Sequence, residues 1–261
     1  MSGVCRPAFR VSEPVLALGG IMGSTKITFK RYEKKYLLST QQYESLLSRL
    51  APHIVRDEFF QSTVCTIYYD SDDYSLIRNS IEKPVYKEKL RVRSYNTPDP
   101  HGEVFVELKK KFKGIVYKRR VRMEAVQAEA YLAGREAAPF ENQIIRELDW
   151  FLRMNPVKPK VFLACERSAY VARENPDLRI TFDQNLRWRS TELDLTLGHH
   201  GQPVIDPSYV LMEIKVPGAL PVWLARMLSE LKIFPSSISK YGTCYKNYIL
   251  RDYLDGVNDC V

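Results

Sequence analysis

The sequence predicts an α+β fold in which an antiparallel β-barrel closes on itself and helices pack against its outside. Three observations predict it. Lys and Arg recur at alternate positions in at least six short segments, each with an apolar opposite face. Three of those segments follow one another through turn-like connectors, as in an antiparallel meander. Segments with helical apolar spacing lie between and after them.

The elements follow in order. "KITFKRYEKKYLL" (26–38) alternates as a strand does. In "STQQYESLLSRLAP", Ser39 or Thr40 can cap a helix whose stripe is Tyr43, Leu46, Leu47 and Leu50, and Pro52 ends it. "TVCTIYYD" (63–70) is a short β-branched and aromatic run. "PVYKEKLRVRSY" (84–95), "GEVFVELKKKF" (102–112) and "GIVYKRRVRME" (114–124) form the meander, joined by "NTPDPHG" and "KG". "AVQAEAYLAG" and "ENQIIRELDWFLRM" read as helices. Strands resume over 158–171, 178–190 and 209–216, and "LPVWLARMLSELKIF" and "SISKYGTCYKNYILRDYL" read as closing helices. "LGHHGQP", with His199 and His200, reads as a turn rather than a metal site.

The charge pattern carries the functional content. In "KEKLRVRSY", Lys87, Lys89, Arg91 and Arg93 share one strand face. Glu107 and Lys109 share another, as do Lys118 and Arg120, and Arg179 and Asp183. Glu33 aligns with Lys35, Glu213 with Lys215, and Arg167 stands on its own strand. A solvated face explains one such strand, but solvated faces mix in Ser, Thr, Asn and Gln. A closed barrel would gather the cations into one bore, where they repel unless a polyanion fills it. Phosphate oxygens suit both the Arg fork and the Lys point charge, and carboxylates among the cations would serve a divalent metal.

The net charge of +8 over 261 residues also favours an anionic partner. No apolar run is long enough to span a membrane as a helix. Five scattered cysteines without a CxxC pair suggest reduced thiols in a cytoplasmic protein. The sixteen tyrosines read as core or shell residues, which disfavours a specific nucleic-acid reader, and a duplex is too wide for such a bore. Trp150 and Trp223 are expected between helices and barrel wall, whereas Trp188 is placed either in packing or against a nucleotide base at the mouth. In "KKKFK", Lys109 is expected to face inward and the rest to be solvated.

"RYEKKYLL", "KEKLRVRSY", "VFVELKKK", "GIVYKRR", "CERSAY", "LRITFD", "LMEIKV" and "SISKYG" resemble, in order and spacing, the motifs of bacterial VTC-type polyphosphate polymerase domains. The resemblance covers roughly residues 27 to 250. It implies the triphosphate tunnel metalloenzyme fold, an eight-stranded antiparallel β tunnel shared with CYTH phosphatases. It also implies ATP or another nucleoside triphosphate as donor, polyphosphate as product and a divalent metal, Mn²⁺ or Mg²⁺. Arg91, Arg93, Lys109, Arg167 and Arg179 are implied as the catalytic cations. Lys35, Lys89, Lys118, Arg120, Lys215, Ser239 and Lys240 are implied as phosphate contacts, Ser239 and Lys240 at the start of the last helix. Glu213 resembles the metal-binding glutamate, with Glu107 as a second metal or water ligand.

Two departures from the family patterns stand out. CYTH relatives open on ExExK, but here the run is Arg31-x-Glu33-x-Lys35, which favours the polymerase branch over a tripolyphosphatase or nucleoside triphosphatase. Ser237 stands where eukaryotic members carry a further lysine. A regulatory SPX-like domain and membrane helices are not expected from this polypeptide. Residues 25–255 are expected to form one tunnel domain, preceded by a disordered or loosely attached leader over 1–24, or by a misassigned start with Met22 as the true one.

Overall fold

A computed structural model describes residues 32–113 and 115–251. The expectations for residues 1–24, Met22, the 26–31 part of the first strand, Cys5 and Cys260 lie outside the described residues.

β1 (Tyr32–Ser39) runs straight into α1 (Thr40–Leu50). Ser39 Oγ accepts from the Gln42 amide at 3.2 Å, and the Gln42 side chain accepts from Ser39 N at 3.1 Å. That reciprocal cap fixes where strand becomes helix. β2 (Ile54–Asp70) has 17 residues and begins well before the 63–70 run read from sequence. Its first half is charged, and its pairing is irregular between Arg56 and Gln61, so alternation fails there.

α2 (Ser75–Ile81) was not anticipated. The buried Asp70 carboxylate builds it, accepting from Leu76 N at 2.9 Å and Ile77 N at 3.0 Å. Those are amides that the first helical turn leaves without a partner. β3 (Tyr86–Tyr95), β4 (Glu103–Phe112) and β5 (Ile115–Glu124) form the expected meander. α3 (Ala125–Leu132), α4 (Gln143–Met154), β6 (Lys158–Ala172) and β7 (Arg179–Arg189) follow. Next come β8 (Gln202–Pro203), β9 (Tyr209–Val216), α5 (Val222–Glu230) and β10 (Pro235–Ser236). α6 (Lys240–Cys244) continues as one π-helical stretch, Tyr245–Ile249.

The described strands form one antiparallel sheet in the order β10-β1-β9-β7-β6-β2-β3-β4-β5, with β8 on β7. The expected closure is corrected in one respect. Among the described residues no ladder joins β5 to β1, because β10 takes the free edge of β1, pairing Ser236 with Lys35 and Pro235 with Tyr36. The sheet instead curls until its charged face meets itself, and Lys109 on β4 reaches Glu33 on β1 at 3.6 Å.

Two apolar layers cover the outer face. α3 and α4 bury Leu132, Leu148 and Phe151 against Leu90, Val106 and Leu108 of the meander. α1 and α5 bury Leu46, Leu50 and Leu224 against Phe182, Met212 and Ile214. α6 departs from the expected exterior position, and the unanticipated α2 lies beside it. Register puts Tyr68, Val64, Cys165 and Leu211 on the charged face, opposite Arg91, Tyr95, Val64 and Asp183 in turn. Ile77 of α2 and Tyr241 and Cys244 of α6 pack on those residues, so these helices stopper one end of the curl.

His199 and His200 lie in the expected turn, beside Gly198 at φ 85° and Gly201 at φ 153°. Lys110 lies outside, beside Glu88 and Glu147 at 3.8 and 3.6 Å. Trp223 packs on His53 with ring centres 4.3 Å apart. Trp188 is buried against Tyr248 at 4.9 Å, which removes it from a mouth where it would stack a base. Trp150 corrects its expectation: it is 62% exposed, because the α4 stripe that packs inward is Ile145, Leu148 and Phe151. Leu148→Ala should therefore lower unfolding free energy by about 2–5 kcal/mol, while Trp150→Ala stays within about 0.5 kcal/mol, both read by urea denaturation.

Candidate polyanion site

The site is the concave face of the sheet, and buried carboxylates organise its cations. On β4, Glu107 is fully buried. Register sets Arg91 of β3 on one side of it and Arg120 of β5 on the other. Arg91 Nε and Nη2 both approach Glu107 Oε2 at 2.7 Å. Arg120 Nε and Lys118 Nζ reach Oε1, each at 2.7 Å. Burial alone would raise the Glu107 pKa, but Arg91, Arg93 and Lys118 hold it well below the usual carboxylate range.

A second centre lies on the opposite wall. Asp183 of β7 pairs in register with Arg167 of β6 and is buried. The Arg167 fork donates to its two oxygens at 2.6 and 2.8 Å, and Lys240 at the start of α6 donates to Oδ2. Burial again opposes ionisation of Asp183, and Lys240 and Arg167 override it.

A looser cluster lies where β1 and β9 run together. Glu213 bonds Lys215 at 2.8 Å, and Lys35 Nζ stands 3.9 Å from Glu213 and 3.6 Å from Glu33. Burial raises Glu213, but Lys215 and Lys35 bring it well below its ordinary value.

Three cations in the middle of the face are not satisfied in this way. Arg93 Nε donates only to Thr66 Oγ1, at 3.3 Å, and among the described residues Arg93 forms no ion pair. Lys89 Nζ has Ser239 Oγ at 3.5 Å and likewise no carboxylate. Burial, with Lys35, Lys109 and Lys87 nearby, pulls Lys89 down to about 8. Burial and the neighbouring Arg91 and Arg167 lower Arg93. Lys109 has only the long contact to Glu33, and burial lowers it too.

The structure thus brings Lys35, Lys89, Arg91, Arg93, Lys109, Lys118, Arg120, Arg167, Lys215, Lys240, Glu107 and Glu213 onto one concave face. Ser239 caps α6 beside it, its Oγ accepting from Gly242 N at 3.4 Å. Arg179 stands at the rim, 42% exposed and paired with Asp57 at 2.7 Å. Two residues of this face were missing from the sequence-derived set. Asp183 had a legible signal, since it shares a strand face with Arg179. Tyr68 had none, because the YY pair at 68–69 does not reveal which ring faces inward. Among the described residues, no three or more His, Cys, Asp or Glu side chains cluster as a metal cage. Glu107 spends its oxygens on three cations, which leaves Glu213 and Glu33 as the freer donors.

A family model described as VTC domain matches residues 30–249. The chain belongs to the VTC domain family. Among curated proteins, this VTC chain is 23% identical to vacuolar transporter chaperone complex subunit 4 of Trypanosoma cruzi, matching over 81% of the chain and 32% of that protein. It is 22% identical to the subunit 4 of Trypanosoma brucei brucei with the same shares. The chain therefore spans about a third of the length of these relatives. Among solved structures, a Bacillus halodurans protein provisionally named an adenylate cyclase overlays with a TM-score of 0.51 at 16% identity. That overlay covers 84% of this chain and 95% of the other. At that identity the match speaks for the fold, a curled antiparallel tunnel sheet, and for nothing more.

The depressed carboxylates set an acid limit. Folded Asp183 lies below its unfolded value, so the stability it supplies is full above about pH 4 and is lost as pH falls toward its folded pKa. Asp183→Asn should be about 3–5 kcal/mol less stable at pH 7. Its stability should also fall less steeply than the wild type's below about pH 4, as read by denaturant melts across that range.

Proposed function

We propose that this VTC domain is a nucleotide-dependent polyphosphate polymerase. The observation that carries the reading is the unsatisfied middle of the concave face. Arg93 and Lys89 are held inside a curled sheet with only hydroxyl partners among the described residues. A row of half-buried cations is tolerable when an anion completes it, and an extended phosphate chain supplies oxygens along the row. Family membership supports phosphate chemistry in particular.

In the proposed reaction a terminal oxygen of the phosphate chain attacks the γ-phosphorus of ATP. One phosphoanhydride bond forms, the bond between the γ-phosphorus and its bridging oxygen breaks, and ADP leaves. The nucleophile is already anionic, so no general base is required, and catalysis is positioning with charge stabilisation. Arg91, Arg93, Lys89 and Lys109 lie on two adjacent strands and would bring the two anions together. Arg167, Lys240 and Ser239 would hold oxygens from the facing wall, and Arg179 with Lys215 would guide phosphate at the rim. Glu213 and Glu33, whose carboxylates both face Lys35, fit a hard divalent cation such as Mn²⁺ or Mg²⁺, completed by water and phosphate oxygens. Bound there, the cation would draw charge from the triphosphate oxygens. Glu107 serves in this reading as the fixed counter-charge that holds Arg91, Lys118 and Arg120 in place.

A cytoplasmic setting accords with Cys65, Cys165 and Cys244, which are buried free thiols. Among the described residues no helix is long and apolar enough to cross a membrane.

Purified protein incubated with ATP and Mn²⁺ or Mg²⁺ should yield long polyphosphate on a gel, together with ADP. Orthophosphate as the only new product would replace polymerisation with hydrolysis. Arg93→Ala removes no ion pair, so it should lower turnover by about 10²–10³-fold while the thermal midpoint stays close to wild type. Unchanged chain synthesis by that variant would contradict the site.

A further inference from the structure

Tyr68 lies on the concave face beside Arg91 in the β2–β3 register and is 8% exposed. Its hydroxyl accepts from Arg91 Nη1 at 3.3 Å. A guanidinium has no acceptor, so this contact leaves the phenol's own proton unplaced. Among the described residues, the groups found facing the ring are cationic, apolar or already committed. From β3 come Arg91, Arg93 and Lys89. From α6, the Tyr241 ring stacks at 4.7 Å, and its hydroxyl donates to Asp70 at 2.9 Å, which commits that carboxylate oxygen. From β6, Val161 sits opposite in register. Among the described residues the Tyr68 hydroxyl makes no hydrogen bond to an acceptor.

We propose that Tyr68 is an ionisable counter-charge of the free protein, and that a phosphate chain entering the concave face returns a proton to its hydroxyl. A phenolate satisfies Arg91 with no stranded donor, and it partly neutralises the row that otherwise lacks anions. Burial would raise the Tyr68 pKa, but Arg91, Arg93 and Lys89 more than offset it and bring it to about 7. Phosphate oxygens on those same cations weaken their pull on the phenol, so its pKa rises and it takes one proton from solvent. By linkage, the phenolate competes with the ligand above neutrality. Tyr68 therefore positions Arg91 and makes phosphate binding pH-sensitive. This inference rests on the reading that the face receives phosphate chains.

The test is a pH titration of tyrosinate absorbance on the full chain, with and without tripolyphosphate, in wild type and Tyr68→Phe. Burial pushes Tyr36, Tyr43, Tyr69 and Tyr74 upward, away from the neutral range, while Arg120 lowers Tyr95 against its burial, and subtracting the variant isolates Tyr68 from all of them. The expected result is one tyrosine equivalent ionising near pH 7 in the wild type alone, moved upward by tripolyphosphate. Calorimetry in buffers of different ionisation enthalpy should show proton uptake near pH 8 that is larger in the wild type than in Tyr68→Phe by up to one proton per bound chain, the shared remainder including Lys89 at about 8. If tripolyphosphate binds and the titration does not move, or no tyrosine ionises near neutrality, the inference falls while the proposed function stands. If tripolyphosphate does not bind at all, both fall. The wild-type titration alone decides the ionisation should the variant fold poorly.

Discussion

Like charges packed on one concave face constrain everything else in this molecule. Arg91, Lys118 and Arg120 would repel one another across three adjacent strands if Glu107 did not lie between them at 2.7 Å from each. Asp183 does the same for Arg167 and Lys240 on the facing wall, and so ties the start of α6 to β7. The two carboxylates are small, buried and fixed by register. They therefore leave the cations pre-oriented, and fixed charge needs no reorganisation when an anion arrives. The neutralisation is incomplete in the middle, where Arg93 and Lys89 have only hydroxyl partners among the described residues.

The rest of the architecture makes that arrangement affordable. Leu90, Val92, Val106 and Leu108 alternate with the cations and bury against α3 and α4. Ile180, Phe182, Met212 and Ile214 do so against α1 and α5. Apolar burial on the convex side thus holds the strands whose concave side carries the charge. α2 and α6 pack Ile77, Tyr241 and Cys244 at one end, and Asp70 binds the two helices together by capping one and accepting from the other. The described VTC domain therefore combines a polar wall, an apolar jacket and an apolar end.

Much of this was legible in the chain because period-two alternation survives wherever a strand separates two unlike environments. The meander, β6, β7 and β9 were readable to within a residue or two, and so was the shared face of Lys89, Arg91 and Arg93, of Lys118 and Arg120, and of Glu213 and Lys215. Legibility failed where contacts are long-range or irregular. The first half of β2 is masked by the break between Arg56 and Gln61. α2 depends on a carboxylate five residues before it, and the edge occupied by β10 depends on a partner some two hundred residues distant. Asp183 was visible on its face but not as a counter-charge, since that role appears only when Arg167 and Lys240 arrive beside it. Trp150 lies off the inward stripe of Ile145, Leu148 and Phe151, so the size of its ring does not bury it.

The most direct measurement is a crystal structure of the protein with tripolyphosphate and Mn²⁺. The account predicts an elongated ligand lying inside the curl, with phosphate oxygens on Arg93 and Lys89 from one wall and on Arg167 or Lys240 from the other. Tripolyphosphate bound solely on the convex surface, or a concave face with no phosphate on these four residues, would contradict it.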